Sequence, residues 1–208
     1  MACAAPGTRL PLLGETGERG YLAQYVNPQV ADVQVPESIS LTGYAQILQG
    51  EESFVNATDG MKLTMDDLDR CFGLLEEMTA TRYVSIDLDA DGEEEVVVCA
   101  ACSGSDFGYL VLDETDERVY GHAFYIRAMH DLKEDGTFAY SSGTADSGIG
   151  YLCLDGASAQ VMEIASLRFQ ADGAIHYYAG GQEVTEEVFR QIEQAQCVKA
   201  APVWQNFP

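Results

Sequence analysis

Residues 83–127 read YVSIDLDADGEEEVVVCAACSGSDFGYLVLDETDERVYGHAFYIR. The stretch contains four runs rich in Val, Ile, Tyr and Phe, the residue types that are enriched in β-strands. Short polar segments separate the runs, and connections this short join antiparallel neighbours. The stretch therefore predicts an antiparallel sheet with strands at 83–87, 94–100, 107–113 and 118–127.

The same pattern continues toward the C-terminus, where Asp-Gly pairs lie between apolar runs. Both residues tolerate positive φ angles, so Asp-Gly in this position is typical of a β-hairpin. Together with the first four strands, this predicts a sheet of about six to eight strands. The further candidate strands are 137–141, 149–154, 160–169 and 174–179, and the Asp-Gly pairs are at 135–136, 155–156 and 172–173.

Helical patterns flank this run of hairpins. The clearest helix is predicted at 65–78, with Thr64 as N-cap and two aspartates in the first turn, where the helix dipole favours acidic residues. We expect its apolar stripe to be buried. The stripe consists of Leu68, Cys71, Phe72, Leu75 and Met78.

Two further helices are predicted, a short one at 42–49 and a C-terminal one at 186–196 that begins after Thr185 as N-cap. Helices before and after a run of strands, rather than alternating with them, indicate an α+β fold. We expect an extended lead-in over 1–37, which holds four of the six prolines, a single α+β domain over 38–200, and a C-terminal tail over 201–208.

The chain is strongly acidic, with 34 acidic and 11 basic residues and a net charge of -23. A polyanion repels nucleic-acid phosphates and anionic membranes, so both are disfavoured as partners. Divalent cations and basic proteins are favoured, although high solubility alone would equally account for the charge. No run of about 18 apolar residues occurs, so no transmembrane segment is expected.

One segment carries recognisable chemistry. Asp87, Asp89 and Asp91 alternate, and a glycine follows them at the position where calcium loops turn sharply. The main-chain carbonyl of Glu93 and the carboxylate of Glu95 then fall at the seventh and ninth positions of such a loop. The sequence predicts a Ca²⁺-type site formed by these five residues.

The loop departs from an EF-hand because its twelfth position is Val98 instead of glutamate. A plain Asp-Gly hairpin with solvated carboxylates is the alternative, and four other Asp-Gly pairs occur in the chain. However, six acidic residues crowd into 87–95, which is electrostatically unfavourable without a counterion. Mg²⁺ suits the loop less well than Ca²⁺, because it is rarely bound by protein ligands alone.

The Asp-x-Asp-x-Asp-Gly loop between two strands resembles the cation sites of integrin-type FG-GAP repeats. A single copy is present, so a propeller does not follow. With VYG at 119–121, DGTFAYSSG at 135–143 and YYAGGQEVTEEVF at 177–189, residues 40–196 resemble a group of uncharacterised lipoproteins of Firmicutes. That resemblance implies a secreted or surface-anchored protein, and Ala2-Cys3 before small residues is similar to a lipoprotein cleavage site.

The six cysteines leave the compartment open. An even number permits disulfides, but the spacing does not assign them. We expect Cys71 and Cys153 to be small core residues rather than disulfide partners, because each lies in an apolar pattern. Cys99 and Cys102 match a redox or zinc spacing, yet residues three apart on a strand point to opposite faces, which favours a disulfide or buried thiols. The cysteines are Cys3, Cys71, Cys99, Cys102, Cys153 and Cys197.

Catalytic patterns are weak. The three histidines at 122, 130 and 176 are far apart, and a triad of Ser141 or Ser142 with His130 and Asp146 has no nucleophile-elbow motif to support it. The preferred interpretation is a non-enzymatic extracytoplasmic protein with a structural Ca²⁺ site that serves binding or surface interaction. The alternatives are a hydrolase of cell-wall or carbohydrate material and a cytoplasmic acidic protein that binds a basic partner.

Overall fold

Two β-sheets form the framework of the fold. The structure is a computed structural model and describes residues 43–143, 146–170 and 173–208. The larger sheet has seven strands in the order β12-β3-β4-β5-β6-β1-β2, and the smaller has five in the order β11-β10-β9-β8-β7. Neighbouring strands are antiparallel except β1 and β6, which are parallel. The strands are β1 Phe54–Asn56, β2 Lys62–Leu63, β3 Met78–Ile86, β4 Glu95–Cys102, β5 Ser105–Thr115, β6 Arg118–Tyr125, β7 Phe138–Ser141, β8 Ser147–Asp155, β9 Ser158–Phe169, β10 Ile175–Ala179, β11 Gln182–Val184 and β12 Gln205–Asn206.

The eight strands predicted from the sequence are all present as β3 to β10, and the α+β class is confirmed. Four more strands, each two or three residues long, were not predicted, because so short a segment shows no periodicity. The strands are also divided between two sheets instead of forming one. Local patterns predict strands, whereas the partner of a strand depends on residues far away in the chain.

The helical elements within the described ranges are short. They are α1 Ala45–Leu48, a 3-10 helix Met65–Asp67, α2 Leu68–Cys71 and α3 Glu186–Cys197. α1 lies inside the helix predicted at 42–49, and α3 matches the helix predicted at 186–196. The Oγ1 atom of Thr185 accepts a hydrogen bond from the Val188 N–H at 3.4 Å, so Thr185 caps α3 as expected. The lead-in predicted at 1–37 lies outside the described residues.

The helix predicted at 65–78 is wrong in its second half. Gly73 has a φ of 65°, a left-handed conformation that ends helices, so helical structure stops near Cys71. Leu75 is fully exposed, and Met78 is buried as the first residue of β3 rather than as part of a helix. The predicted start is confirmed, because the Thr64 N–H donates to Asp67 Oδ2 at 3.1 Å in a capping box.

The two sheets and the helices enclose three apolar cores. Alternate residues of β4 point to opposite faces, so its run of buried residues serves two cores at once. Val96 and Val98 belong to the core with α1 and α2, whereas Val97 and Cys99 belong to the core between the sheets. The third core lies between the smaller sheet and α3 and contains Ile149, Ala165, Ala179, Phe189 and Ile192.

The C-terminal segment packs against the larger sheet. β12 pairs with β3, and the Trp204 ring stacks on Tyr109 with a centroid separation of 5.8 Å. Phe207 meets Tyr83 edge to face at 6.4 Å. Residues 204–207 therefore extend this sheet at its edge. None of the helices within the described ranges is long and apolar enough to cross a membrane.

The cysteines differ in part from expectation. Cys71 is a buried free thiol, as predicted. Cys153 is disulfide-bonded, so its assignment as an unbonded core residue is wrong. Leu152 and Leu154 point into the core between the sheets, and Cys153 alternates with them and is half-buried on the other face. Cys99 and Cys102 are free thiols, the first buried and the second half-buried. They belong to different cores, as residues on opposite faces of a strand do.

Candidate metal site

The Asp-rich loop connects β3 to β4 at one end of the interface between the sheets. Ile86 is the last residue of β3, and it pairs with Glu95, the first residue of β4. This pair fixes both ends of the loop. Leu88, in the middle of the loop, is 1% exposed and packs into the core between the sheets, so the loop is attached to the fold at three points.

The structure brings three of the predicted ligands together. One carboxylate oxygen from each of Asp87, Asp89 and Glu95 lies within 4.8 Å of the other two. Two oxygens that each bind Ca²⁺ at about 2.4 Å are separated by at most about 4.8 Å, so the three oxygens can share one ion. Asp87 and Asp89 are half-buried, whereas Glu95 is only 3% exposed.

Hydrogen bonds inside the loop set its shape. Asp87 Oδ1 accepts from the Ala90 N–H at 2.7 Å, and Asp87 Oδ2 accepts from the Gly92 N–H at 3.2 Å. Ala90 and Gly92 have φ angles of 63° and 93°, which turn the backbone around the Asp87 carboxylate. The loop is thus arranged around an acidic side chain, as an Asx-type turn allows.

The side chains of Asp91 and Glu93 lie outside the group of three. Both residues are exposed, and Asp91 Oδ1 accepts from the Glu93 N–H at 2.8 Å. The Asp91 N–H in turn donates to Asp89 Oδ1 at 3.2 Å. Of the four side chains predicted as ligands, three therefore form the cluster and that of Asp91 does not, while the main-chain carbonyl of Glu93 stays a predicted ligand.

Glu95 is the most unusual group of the cluster. The pKa of its carboxyl is raised to about 9, chiefly by burial and further by the carboxylates of Asp89, Asp113 and Asp87. The Leu88 N–H donates to Glu95 Oε2 at 2.7 Å and opposes that shift. A buried carboxylate surrounded by other carboxylates is unfavourable in its charged form, and a bound divalent cation would reverse that preference.

The other two carboxyl groups behave in the same way. The pKa of Asp87 and that of Asp89 are raised, chiefly by burial and further by the nearby carboxylate of Asp91. A backbone N–H from Leu154 in β8 donates to Asp89 and opposes the shift. Asp89 therefore links the loop of the larger sheet to a strand of the smaller one.

Asp113 was missed as a site residue by sequence reasoning. It is the last residue of the strand predicted at 107–113, whereas β5 continues to Thr115 and the positive φ angles fall at Asp116 and Glu117. Val96 pairs with Leu112, so Glu95 and Asp113 are adjacent one step further along β4 and β5. Asp113 is 7% exposed, and its pKa is raised by burial and then by other carboxylates. The alternation of Tyr109, Val111 and Asp113 on one face of β5 was the available signal.

A histidine lies on the same face of the sheet. His122 in β6 is buried, and its Nε2 lies 3.0 Å from the carbonyl oxygen of Gly156, in the turn between β8 and β9. The Gly156 N–H donates to Thr115 Oγ1 at 3.2 Å. Burial lowers the pKa of His122, which favours the neutral imidazole. These contacts join the two sheets close to the acidic cluster.

Two of the residues considered for a catalytic triad, Ser141 and Asp146, are hydrogen-bonded elsewhere. Ser141 Oγ donates to the Gly143 carbonyl oxygen at 2.8 Å, and Asp146 Oδ1 accepts from the Phe169 N–H at 3.0 Å. Both line a cavity of about 390 Å³, and His130 is not among the described residues of its wall. The described lining is Arg127, Ser141, Gly143, Asp146, Ser147, Leu167, Phe169 and Ile175.

Comparison of the chain with protein-family models, with curated proteins and with solved structures finds no match. The resemblance to lipoproteins of Firmicutes therefore stays a prediction. Function is inferred from the loop and from the residues packed around it.

Proposed function

We propose that this is a non-enzymatic bacterial protein, secreted or anchored at the cell surface, with a structural Ca²⁺-type site. Asp87, Asp89 and Glu95 supply its carboxylate ligands. The observation that supports this most strongly is the convergence of three carboxylate oxygens within 4.8 Å of one another, one of them from a residue that is only 3% exposed. Burial of that carboxylate is costly unless a positive charge compensates it.

The donor set favours calcium over other common metals. All three side chains offer oxygen, which suits a hard cation, and neither histidine nor cysteine belongs to the cluster. Ca²⁺ takes six to eight oxygens with variable geometry, so water and main-chain carbonyls complete its coordination sphere. Mg²⁺ is a poorer fit, because it demands near-octahedral geometry and gives up water reluctantly.

The surroundings of the cluster favour a structural role. Asp89 accepts a hydrogen bond from Leu154 of the smaller sheet, while Glu95 begins a central strand of the larger sheet. An ion bound to both residues would hold the two sheets together at this end of their interface. The same ion would neutralise the repulsion between the cross-strand neighbours Glu95 and Asp113.

One observation and one expectation support an extracytoplasmic location. Cys153 is disulfide-bonded, and disulfides persist mainly in oxidising compartments. Calcium sites of extracellular modules bind in the range of about 0.1–1 mM, which a loop without the twelfth-position glutamate would match. The resemblance to lipoproteins of Firmicutes points to the same compartment.

Thermal unfolding with calcium and with chelator tests the proposal. An ion that binds only the native state stabilises it by mass action, so millimolar Ca²⁺ should raise the melting temperature. Asp89→Ala should abolish that rise. Asp59→Ala is the matched control, because it removes an aspartate from another Asp-Gly turn, where its carboxylate is exposed and accepts from the Met61 N–H at 2.9 Å. Equal melting of the unaltered protein in Ca²⁺ and in chelator would contradict the proposal.

A further inference from the structure

A second turn of the chain lies directly against the Asp-rich loop. Gly136, in the turn at 133–137, has a φ of 75°. A Cβ atom at this position would lie 2.6 Å from the carbonyl oxygen of Asp87 and 3.1 Å from the Cα of Leu88. Both are backbone atoms, which cannot move aside as the end of a flexible side chain can. Only glycine therefore permits this approach of the two segments.

The peptide group that touches Gly136 also orients a ligand. The Asp87 carbonyl and the Leu88 N–H belong to the same peptide unit, which is planar and moves as one body. Its oxygen faces Gly136, and its N–H donates to Glu95 Oε2 at 2.7 Å. Any shift of this peptide unit away from Gly136 would change the hydrogen bond that holds the most buried carboxylate of the cluster.

The turn that carries Gly136 is internally closed. The Lys133 N–H donates to the Thr137 carbonyl oxygen at 2.8 Å, and the Gly136 N–H donates to the Lys133 carbonyl oxygen at 3.0 Å. The Thr137 hydroxyl donates to Asp135 Oδ1 at 2.6 Å. These bonds leave the turn little freedom to move relative to its own ends.

The turn is also attached to the segment that follows α3. Lys199 Nζ forms a salt bridge with Asp135 Oδ2 at 2.8 Å, and the two side chains are 24% and 15% exposed. The Glu134 N–H donates to the Ala200 carbonyl oxygen at 3.0 Å. The position of Gly136 is therefore determined jointly by its own turn and by the residues after α3.

We propose that Gly136 is a positioning residue of the cation site, held against the Asp87–Leu88 peptide unit by the Lys199–Asp135 contact. This inference rests on the proposed function, because it concerns the same three ligands. Residues that orient the ligands of a metal without touching it typically change its affinity by about 10- to 100-fold when they are substituted. The site is thus built from two distant parts of the chain.

A matched pair of glycine substitutions isolates this contact. Gly136 and Gly60 both follow an aspartate in a turn, with φ angles of 75° and 74°, so alanine meets the same backbone strain at either position. A Cβ atom at Gly60 has no neighbour within 4 Å among the described residues. Calcium affinity, measured by titration calorimetry, should fall about ten-fold or more in Gly136→Ala and stay unchanged in Gly60→Ala. Equal affinities of the two variants would overturn the inference.

A readout without metal separates this inference from the proposed function. In the calcium-free protein, the amide hydrogen of Leu88, which donates to Glu95, should exchange with solvent faster in Gly136→Ala than in Gly60→Ala. If the unaltered protein binds no Ca²⁺ but this difference is seen, the proposed function fails, whereas the positioning of the Leu88–Glu95 hydrogen bond by Gly136 stands. If the exchange rates are equal, the positioning role is overturned.

A second variant covers the case in which Gly136→Ala does not fold. Lys199→Met removes the salt bridge to Asp135 and leaves Gly136 and the Asp-rich loop unaltered. It should weaken Ca²⁺ binding and accelerate exchange of the Leu88 amide in the same directions as Gly136→Ala. Unaltered affinity together with unaltered exchange in Lys199→Met would overturn the inference.

Discussion

Replacing Glu95 by glutamine should change the free energy of unfolding in opposite directions with and without calcium. In the metal-free protein the pKa of Glu95 is about 9, against 4.5 for an exposed glutamate. Because this folded-state pKa is raised, the contribution of Glu95 to stability is fully present below about pH 4.5 and is lost as pH rises toward about 9. At pH 7 the carboxyl group of Glu95 is ionised in the unfolded state but protonated in the folded state. Since pH 7 lies 2.5 pH units above the unfolded-state pKa, and each unit corresponds to about 1.4 kcal/mol, this difference lowers the free energy of unfolding by about 3 kcal/mol.

Glutamine is neutral and keeps an oxygen that can accept from the Leu88 N–H, so Glu95→Gln should avoid this cost. In chelator at pH 7 the variant should be more stable than the unaltered protein by up to about 3 kcal/mol, less whatever the loop recovers by relaxing. At pH 4.5 the two proteins should be nearly equal. In Ca²⁺ the order should reverse, because the variant lacks a charged ligand.

Urea unfolding at pH 4.5 and pH 7, each with chelator and with calcium, measures all four values. Glu94→Gln is the control, since Glu94 lies in the same loop but is exposed, with Ser85 Oγ donating to it at 2.7 Å. Surface substitutions of this kind usually change stability by less than about 0.5 kcal/mol. A Glu95→Gln variant that is destabilised in chelator at pH 7 would refute the account of Glu95 as a buried carboxyl group whose raised pKa costs stability at pH 7.

Two further outcomes are expected. Phe72→Ala should lower the free energy of unfolding in urea by about 3–5 kcal/mol, because Phe72 is 4% exposed and packs against Phe107 and Tyr125. Leu75→Ala, at a fully exposed position, should change it by less than about 0.5 kcal/mol. Similar losses in both variants would show that Phe72 is not buried and Leu75 exposed as the structure has them. Under native, non-reducing conditions the exposed Cys197 should react rapidly with a thiol reagent. Cys99 is buried and its pKa is raised by burial, so it should react only when the protein unfolds. Rapid labelling of Cys99 would contradict its place in the core.

Much of the β-structure follows from local sequence. The runs that became β3 to β10 combine β-branched and aromatic residues with turn residues between them, and both signals act over a few residues. The Asp-rich loop was recognisable for the same reason, since the alternation of Asp87, Asp89 and Asp91 before a glycine is itself the signal. That these three carboxylates lie close together follows from the pairing of Ile86 with Glu95, which brings the two ends of the loop side by side.

Other features required the tertiary structure. The apolar pattern at 65–78 fits a long helix, yet Gly73 ends the helix and Met78 joins a strand, where it pairs with Cys102. Local periodicity reports which residues alternate, but it does not report which face another segment covers. The same limit applies to Cys153, whose apolar neighbours point away from it.

The sequence by itself determined the strands, the α+β class and the chemical character of the loop, because each depends on neighbours a few residues apart. Only the tertiary structure decided that Asp113 is buried beside Glu95 and that Gly136 touches the Asp87–Leu88 peptide unit. Those two features depend on strand register and on the docking of a turn from another part of the chain. Both arise from packing between segments that are distant in sequence, and the periodicity of a local sequence pattern does not show which residues such packing buries or brings close together.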